Sequence, residues 1–235
     1  MKLIVDHIQK SFDEKEVLKD CSFSFEKGKI YGLLGRNGSG KTTLFNCIAH
    51  EIKCEGNVWI EKGDQRRDIN DMDVGYAYSL PILPEFMTGY EYIRFYMDIH
   101  KDQLEKRVHL EDYFDLMRIN EEDRHRLIKG YSHGMKNKLQ MLSFIISKPD
   151  VILLDEPLTS FDVVVASEMK QLLLNMKHDH ILLFSTHVLQ LATDLCDEII
   201  LLNHGKLELL DHELLSSPDF ENQVVTMLKE DSYVE

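Results

Sequence analysis

The chain has 235 residues, 43% of them hydrophobic, and a formal charge of −14. That length and apolar share can fill the core of one large or two small domains, whereas the acidic balance, with no basic stripe to offset it, argues against nucleic acid as a partner. No apolar run is long enough to cross a bilayer, since the richest stretches, 151–154 and 199–202, end quickly in charged or turn residues.

At the N-terminus the short apolar run is cut by Asp6, unlike a signal peptide, so the expectation is a folded cytoplasmic protein whose membrane role, if it has one, is peripheral. Residues 3–12 and 17–25 carry β-branched and aromatic side chains in partial alternation, as in an opening antiparallel pair. The segment 29–34 is a strand leading into a glycine-rich turn over 35–40, and from Lys41 onward Leu44, Phe45, Ile48 and Ala49 recur at helical spacing. Two further strands, 57–61 and 74–78, flank a polar segment that reads as a surface loop. Arg66 and Arg67, within it, read as solvated surface.

From 88 to about 148 the pattern is helical and predicts an inserted helical subdomain, built on Tyr92, Ile93, Phe95 and Tyr96, then Leu110, Tyr113, Phe114 and Met117, then Leu139, Leu142 and Ile145. After Pro149 strands and helices alternate: a strand at 151–155, a helix from about 164 to 176, a strand at 181–185 and a helix after His187. That order implies a mostly parallel sheet. Residues 198–210, broken by Asn203-His204-Gly205, read as a hairpin, and the acidic stretch 212–235 as a helical tail beyond a domain over 1–211. Cys21, Cys47, Cys54 and Cys196 lack a ligand spacing and read as buried reduced thiols.

Two segments carry the chemistry. Gly35-Arg36-Asn37-Gly38-Ser39-Gly40-Lys41-Thr42 is a complete Walker A loop. Gly35, Gly38 and Gly40 let backbone N–H groups approach a triphosphate, the helix at Lys41 adds its positive end, and the Lys41 ammonium reaches the β and γ phosphates. Arg36, Asn37, Ser39 and Thr43 complete the nucleotide-contacting set, and the Thr42 hydroxyl is a ligand for Mg²⁺. Val151-Ile152-Leu153-Leu154-Asp155-Glu156-Pro157 puts two carboxylates just beyond a buried strand, with different jobs. Asp155 holds a water of the hydrated Mg²⁺; Glu156 accepts a proton from, or orients, the water attacking the γ phosphate.

With these two motifs, Tyr131-Ser132-His133-Gly134-Met135 opening a helix, and His187 after a late strand, the chain resembles the ATP-binding cassette ATPases, up to about Asp211. The signature's wording resembles the exporter branch with ABC-2 type permeases. The resemblance implies an α/β P-loop NTPase fold: a mostly parallel core sheet, an N-terminal antiparallel β-subdomain and the inserted helices. It also implies ATP and Mg²⁺ as cofactors, and ATP hydrolysis coupled to transport. Two cassettes, identical or different, would dimerise around two ATP. A separate integral membrane permease would carry the substrate, leaving this chain peripheral on the inner face of the cell membrane, docked through the segment from Leu80 to Glu91 and the helices after it.

Position by position, the resemblance makes Phe12 the adenine-stacking aromatic, Ser132 and Gly134 the cap over the partner protomer's γ phosphate, Asp162 the residue crossing the dimer seam, and His187 the switch histidine at the γ phosphate and attacking water. Most of the other histidines read as surface residues, and Lys136 with Lys138 as solvated surface that can also bias the field near a phosphate. Ser79 departs from the pattern, standing where the family has a glutamine that binds Mg²⁺ and reports to the permease. A hydroxyl there still touches the metal or its water but spans less than an amide, which would shift coupling to neighbours such as Glu85 and Tyr90. His133 replaces the signature's first glycine and reads as a solvent-facing loop side chain.

Two other classes compete. A non-transport cassette of DNA repair or translation needs a long coiled coil or tandem cassettes, which the sequence lacks; a regulatory ATP-binding module with slow turnover fits Ser79 but not the intact Glu156 and His187. A GTPase or small-molecule kinase would lack the Ser-x-Gly segment, and there is no Asn-Lys-x-Asp guanine reader.

Overall fold

The computed structural model describes residues 1–102, 104, 109–157, 163–211 and 220–229. Two sheets organise it. The first is antiparallel, in order β2-β1-β4-β5, from β1 (Lys2–Phe12), β2 (Lys15–Glu26), β4 (Glu55–Lys62) and β5 (Gln65–Asp68). The second has six strands in order β10-β9-β3-β8-β7-β6: β3 (Ile30–Leu34), β6 (Val74–Ala77), β7 (Val151–Asp155), β8 (Ile181–Thr186), β9 (Glu198–Asn203) and β10 (Lys206–Leu209). All its pairings are parallel except that of β10, which turns back on β9 through His204 and Gly205.

The strands β3, β7 and β8 are buried at every position, as expected of a parallel sheet covered on both faces, and their sequences are near-continuous apolar runs for that reason. On one face Leu33, Leu153 and Leu183 pack with α1 (Lys41–Ile48) and the antiparallel sheet, through Leu44, Phe45, Leu3 and Leu18. On the other, Ile152, Leu154 and Phe184 pack against α5 (His133–Ser147), α6 (Val163–Met176) and the helical insertion, through Leu139, Leu142, Met169 and Leu173. The insertion also contains α2 (Gly89–Ile99), α3 (Leu110–Leu116) and α4 (Glu121–Arg124). α7 (Leu189–Leu195) follows His187, and α8 (Phe220–Lys229) sets Phe220 and Val224 against Ile199 and Leu201.

Local chemistry sets these boundaries. α2 begins at a reciprocal cap: Glu91 N–H donates to Thr88 Oγ1 (3.1 Å) and Thr88 N–H donates to Glu91 Oε2 (2.8 Å). The first sheet departs from the sequence reading. β5 forms where a polar loop was expected, because Lys62 pairs with Gln65 across the two-residue turn Gly63-Asp64, with Gly63 at φ 60°. Arg67 is accordingly not loose surface. Its guanidinium is bidentate on Asp73, 2.7 Å from Oδ1, and lies 2.8 Å from Asp150 Oδ2, so it ties β5 to the starts of β6 and β7. Arg66 lies over the Trp59 ring at 3.8 Å. Two histidines are exceptions to the mostly surface reading and are buried, His100 and His180, the latter bonded through Nδ1 to Pro149 O at 2.5 Å. All four cysteines are free, Cys21 and Cys47 buried and the other two half-buried.

Candidate functional site

Register brings the predicted groups together. Leu34 pairs with Thr186, and Asp155 with Ser185, so β3, β7 and β8 end at one level and release the glycine loop, Glu156 and His187 along the same carboxyl edge. Asp155 is buried and doubly held: its Oδ2 accepts from Thr42 Oγ1 at 2.8 Å and its Oδ1 from Ser185 Oγ. Ser185 Oγ in turn accepts the Glu156 N–H at 3.0 Å. Glu156 has φ 52°, a left-handed backbone costing about 1–2 kcal/mol for a residue with a Cβ. Such strain, held by its surroundings, concentrates at functional positions. His187 Nδ1–H donates to the Glu156 carboxylate, 2.9 Å from Oε1 and 2.8 Å from Oε2, which leaves Nε2 as the outward nitrogen. The turn that presents the imidazole is fixed where Thr186 Oγ1 accepts the Val188 N–H at 3.0 Å.

The glycine loop is built for an anion. α1 starts after Gly40 at φ 106°, without a side-chain cap or an acidic residue in its first turn, so its first N–H groups face outward with the positive end of the helix. A Cβ at Gly40 would come 2.9 Å from Val17 Cγ1, so glycine is required there for close approach as well as for backbone angle. Lys41 is buried, and its ammonium donates back to Gly35 O (2.9 Å) and Arg36 O (3.2 Å). Burial pushes its pKa below lysine's usual range, while the Glu156 and Asp155 carboxylates act to raise it. Ser39 Oγ is buried without a hydrogen-bond partner, an acceptor-donor awaiting a group in the cradle. Arg36 and Asn37 are exposed beside it and Thr43 is half-buried.

The oxygen pair of Thr42 and Asp155 suits Mg²⁺, which binds through few protein oxygens and keeps waters and phosphate oxygens for the rest of its shell. Among the described residues no cluster of three or more acidic, histidine or cysteine side chains gathers, so a cage for a less hydrated metal is not formed there.

Among the described residues, the other expected site residues make no hydrogen bond to these groups, although Ser79 follows the end of β6 at the same edge, where Ala77 pairs with Leu154. Phe12, at the tip of the β1–β2 hairpin, is half exposed with the Lys10 ammonium 4.9 Å from its ring centroid. Ser79 is exposed just after β6. Ser132 is the N-cap of α5, its Oγ accepting the Met135 N–H at 3.2 Å, so the helix that the segment opens starts at His133. His133 and Gly134 are half-buried in that first turn. Lys136 and Lys138 do not stand free for a phosphate, since each meets a carboxylate, Glu85 at 2.7 Å and Glu168 at 3.3 Å. Asp162 lies outside the described residues. Sequence reasoning missed Ser185, whose hydroxyl joins Asp155 to the Glu156 backbone; its place immediately before Thr186-His187 at a strand end was the available signal.

Residues 18–159 match the family model described as ABC transporter. The chain belongs to the ABC transporter family. It is 30% identical over 194 residues to an uncharacterized ABC transporter ATP-binding protein of Nostoc, covering 81% of this chain and 58% of that protein. It is 27% identical over 225 residues to the ABC transporter ATP-binding protein NatA of Bacillus subtilis, covering 88% and 87% of the two chains. A solved structure of an ATP-binding subunit of an ABC transporter superposes with a TM-score of 0.81 over 97% of this chain and 99% of that one, at 20% identity, and so shares the fold. The α/β architecture and ATP binding expected from the sequence are those of this ABC family, whose ATP-binding subunits hydrolyse ATP to power transport.

Proposed function

We propose that this ABC subunit hydrolyses ATP at the carboxyl edge of its parallel sheet, as one of two facing cassettes that drive export through a separate membrane permease. The observation that carries the reading is the convergence of Lys41, Thr42, Asp155, Glu156 and His187 on one edge, within a continuous hydrogen-bond chain from Thr42 to His187. Lys41 and the N–H groups of α1 hold and neutralise phosphate oxygens. Thr42 and Asp155 would hold Mg²⁺, which supplies charge neutralisation between phosphate oxygens when bound. Glu156 takes the proton of the attacking water, and His187, fixed by its Nδ1–H bond to Glu156, keeps that carboxylate aimed and offers Nε2 to the phosphate side.

Ser132 supports the dimeric half of the reading. Its helix has no acid in the first turn and is uncovered at its N-terminus, the polarity that receives an anion from another molecule. Phe12 stacks on the base, and Ser79 and Asp162 complete the metal site and the seam. A cleft of ≈ 400 Å³ lined by Tyr78, Ile82, Tyr92, Tyr96 and His100 supports docking of the permease beside 80–91, where Leu80, Ile82 and Phe86 are strongly exposed. Among the described residues no helix is long and apolar enough to cross a membrane, so the reading assigns the channel to another chain. Export rests on the wording of the signature.

The test is Glu156→Gln with ATP and Mg²⁺. Phosphate release should fall about 10²–10⁴-fold, the usual weight of a general base, and the chain should collect as an ATP-loaded dimer in size-exclusion chromatography. Turnover at the wild-type rate removes Glu156 from its role.

A further inference from the structure

Gln140 is a buried amide with only half of its hydrogen bonds made. It lies on α5, 6% exposed; its Nε2 donates to Tyr76 O on β6 at 3.3 Å, and its Oε1 is enclosed without a partner. A buried carbonyl left unpaired costs about 1–3 kcal/mol, a penalty that an apolar side chain of the same size would not carry. Such a group points to a donor that reaches it in another state of the molecule.

The surroundings narrow that donor down. Gln140 borders the larger cleft, where the hydroxyls of Tyr78 and Ser143 are already given to Glu51 Oε1 (2.9 Å) and to the Gln140 backbone carbonyl (2.6 Å) and that of Tyr92 is paired with Tyr96. On its other side it lines a small cavity with Ser79, Asn137, Leu154 and Pro157, and the last two bracket the Asp155-Glu156 pair. Tyr76 also has an unpaired buried hydroxyl, but its ring packs on the opposite face of the sheet, 6.1 Å from that of Phe45. Asn137 is on α5 itself, so a bond to it would join nothing new. Ser79 stands across the cavity on a different element, in the exposed stretch that follows β6. Its hydroxyl is short, and the Gln140 amide reaches toward β6 from the other wall.

Resting on the ATPase reading above, we propose that Gln140 is a positioning residue for hydrolysis: its carbonyl accepts the Ser79 hydroxyl when the segment after β6 closes beside the loaded site. Two side chains on facing walls then span what a serine alone does not. Because Ser132 caps the same helix that carries Gln140, the bond links closure at residue 79 to the N-terminus of α5.

The experiment uses the full chain with ATP and Mg²⁺ as probe, in the wild type, Ser79→Ala, Gln140→Leu and the double variant, reading amide exchange over 78–88 alongside turnover. In the wild type these amides should slow about fivefold when ATP is added, the factor that ~1 kcal/mol of hydrogen bonding represents. Gln140→Leu should abolish the slowing and lower kcat about fivefold with KM within about twofold. Ser79→Ala, which also removes the hydroxyl proposed for the metal site, should abolish the slowing and cost at least as much, and the double variant should be no worse than Ser79→Ala, because it loses no further bond. Ser79→Gln should restore both readouts in the Gln140→Leu background by supplying reach from the other side. Additive losses, a Gln140→Leu chain that still slows, or no slowing in the wild type overturns the pairing. Should Gln140→Leu fail to fold, Gln140→Met keeps the length and is read the same way. A chain that binds ATP without turning it over defeats the ATPase reading alone, since the exchange pattern still decides between Ser79 and Gln140.

Discussion

The carboxyl edge of the parallel sheet and the start of α5, both proposed to meet phosphate, are held in place differently. At the sheet edge the functional side chains fix one another, Thr42 and Ser185 through Asp155, the Glu156 backbone through Ser185 and His187 through the Glu156 carboxylate, while Lys41 is held by the loop's own carbonyls. The α5 terminus is fixed by its own cap and by backbone bonds to the docking segment, Ile128 N–H to Met87 O (2.9 Å) and Lys129 N–H to Glu85 O (3.2 Å). One half-site is therefore self-contained, while the other is tied to the surface proposed to meet the permease. Catalytic groups gain from preorganisation; a transmitting element gains from being tied to what it must report.

The largest effect that would test this contrast is expected at Lys41. Lys41→Ala should weaken ATP binding about 10–100-fold, from charge-assisted bonds worth ~1.5–3 kcal/mol. Calorimetric titration checks this. Because the ammonium also donates to Gly35 O and Arg36 O, the empty variant should show faster amide exchange through the loop than the wild type. An unchanged affinity would mean that the backbone cradle alone holds the nucleotide.

Next comes Gly134→Asp, which sets a carboxylate in the first turn of α5 and opposes any anion brought there. In a Glu156→Gln background the ATP-induced dimer should disappear from light scattering, while the affinity of the single chain for ATP stays within about twofold, because the self-contained half-site is untouched. Loss of nucleotide affinity in the monomer would show that the two half-sites are not separable.

A smaller effect is expected from the ion pair of Glu85 with Lys136, which lies on the surface. Lys136 holds the Glu85 carboxyl below its usual pKa. A double-mutant cycle in denaturant unfolding should give only a weak coupling, as exposed pairs do, with faster amide exchange at 127–131 when either partner is alanine. The backbone bonds to Met87 and Glu85 remain, so the segment should loosen without detaching. No change in exchange would mean that those backbone bonds alone secure the terminus.

The two regions were also unequally legible in the sequence. Walker A, Asp155-Glu156 and His187 could be read because each follows a short apolar run, and a parallel sheet aligns such ends without further instruction. Contacts between distant segments carried no local signature: Arg67 with Asp73 and Asp150, Glu85 with Lys136, and Gln140 with Tyr76. β5 was missed for a related reason, since Gln65-Arg66-Arg67-Asp68 has no apolar alternation and is a strand through its turn and its cross-strand partners, although Gly63-Asp64 was the signal available. His180 was not singled out from the mostly surface histidines, because polarity was read without its place, directly before a buried strand.

That histidine gives the smallest prediction and one independent of nucleotide. Burial lowers the His180 pKa from its ordinary 6.5, against the Pro149 carbonyl that favours the protonated ring. The folded chain therefore resists taking up the proton, while the unfolded chain accepts it near pH 6.5, so the unfolded state binds more protons in the window below that value. Stability contributed by neutral His180 is fully present above the unfolded pKa and is lost as pH falls toward the folded one. Thermal melts between pH 7.5 and 5.5 should show a decline in Tm that is shallower in His180→Gln. An identical slope in both proteins would mean that the ring gains and loses its proton equally in the folded and unfolded chains, and that the acid sensitivity arises from carboxylates instead.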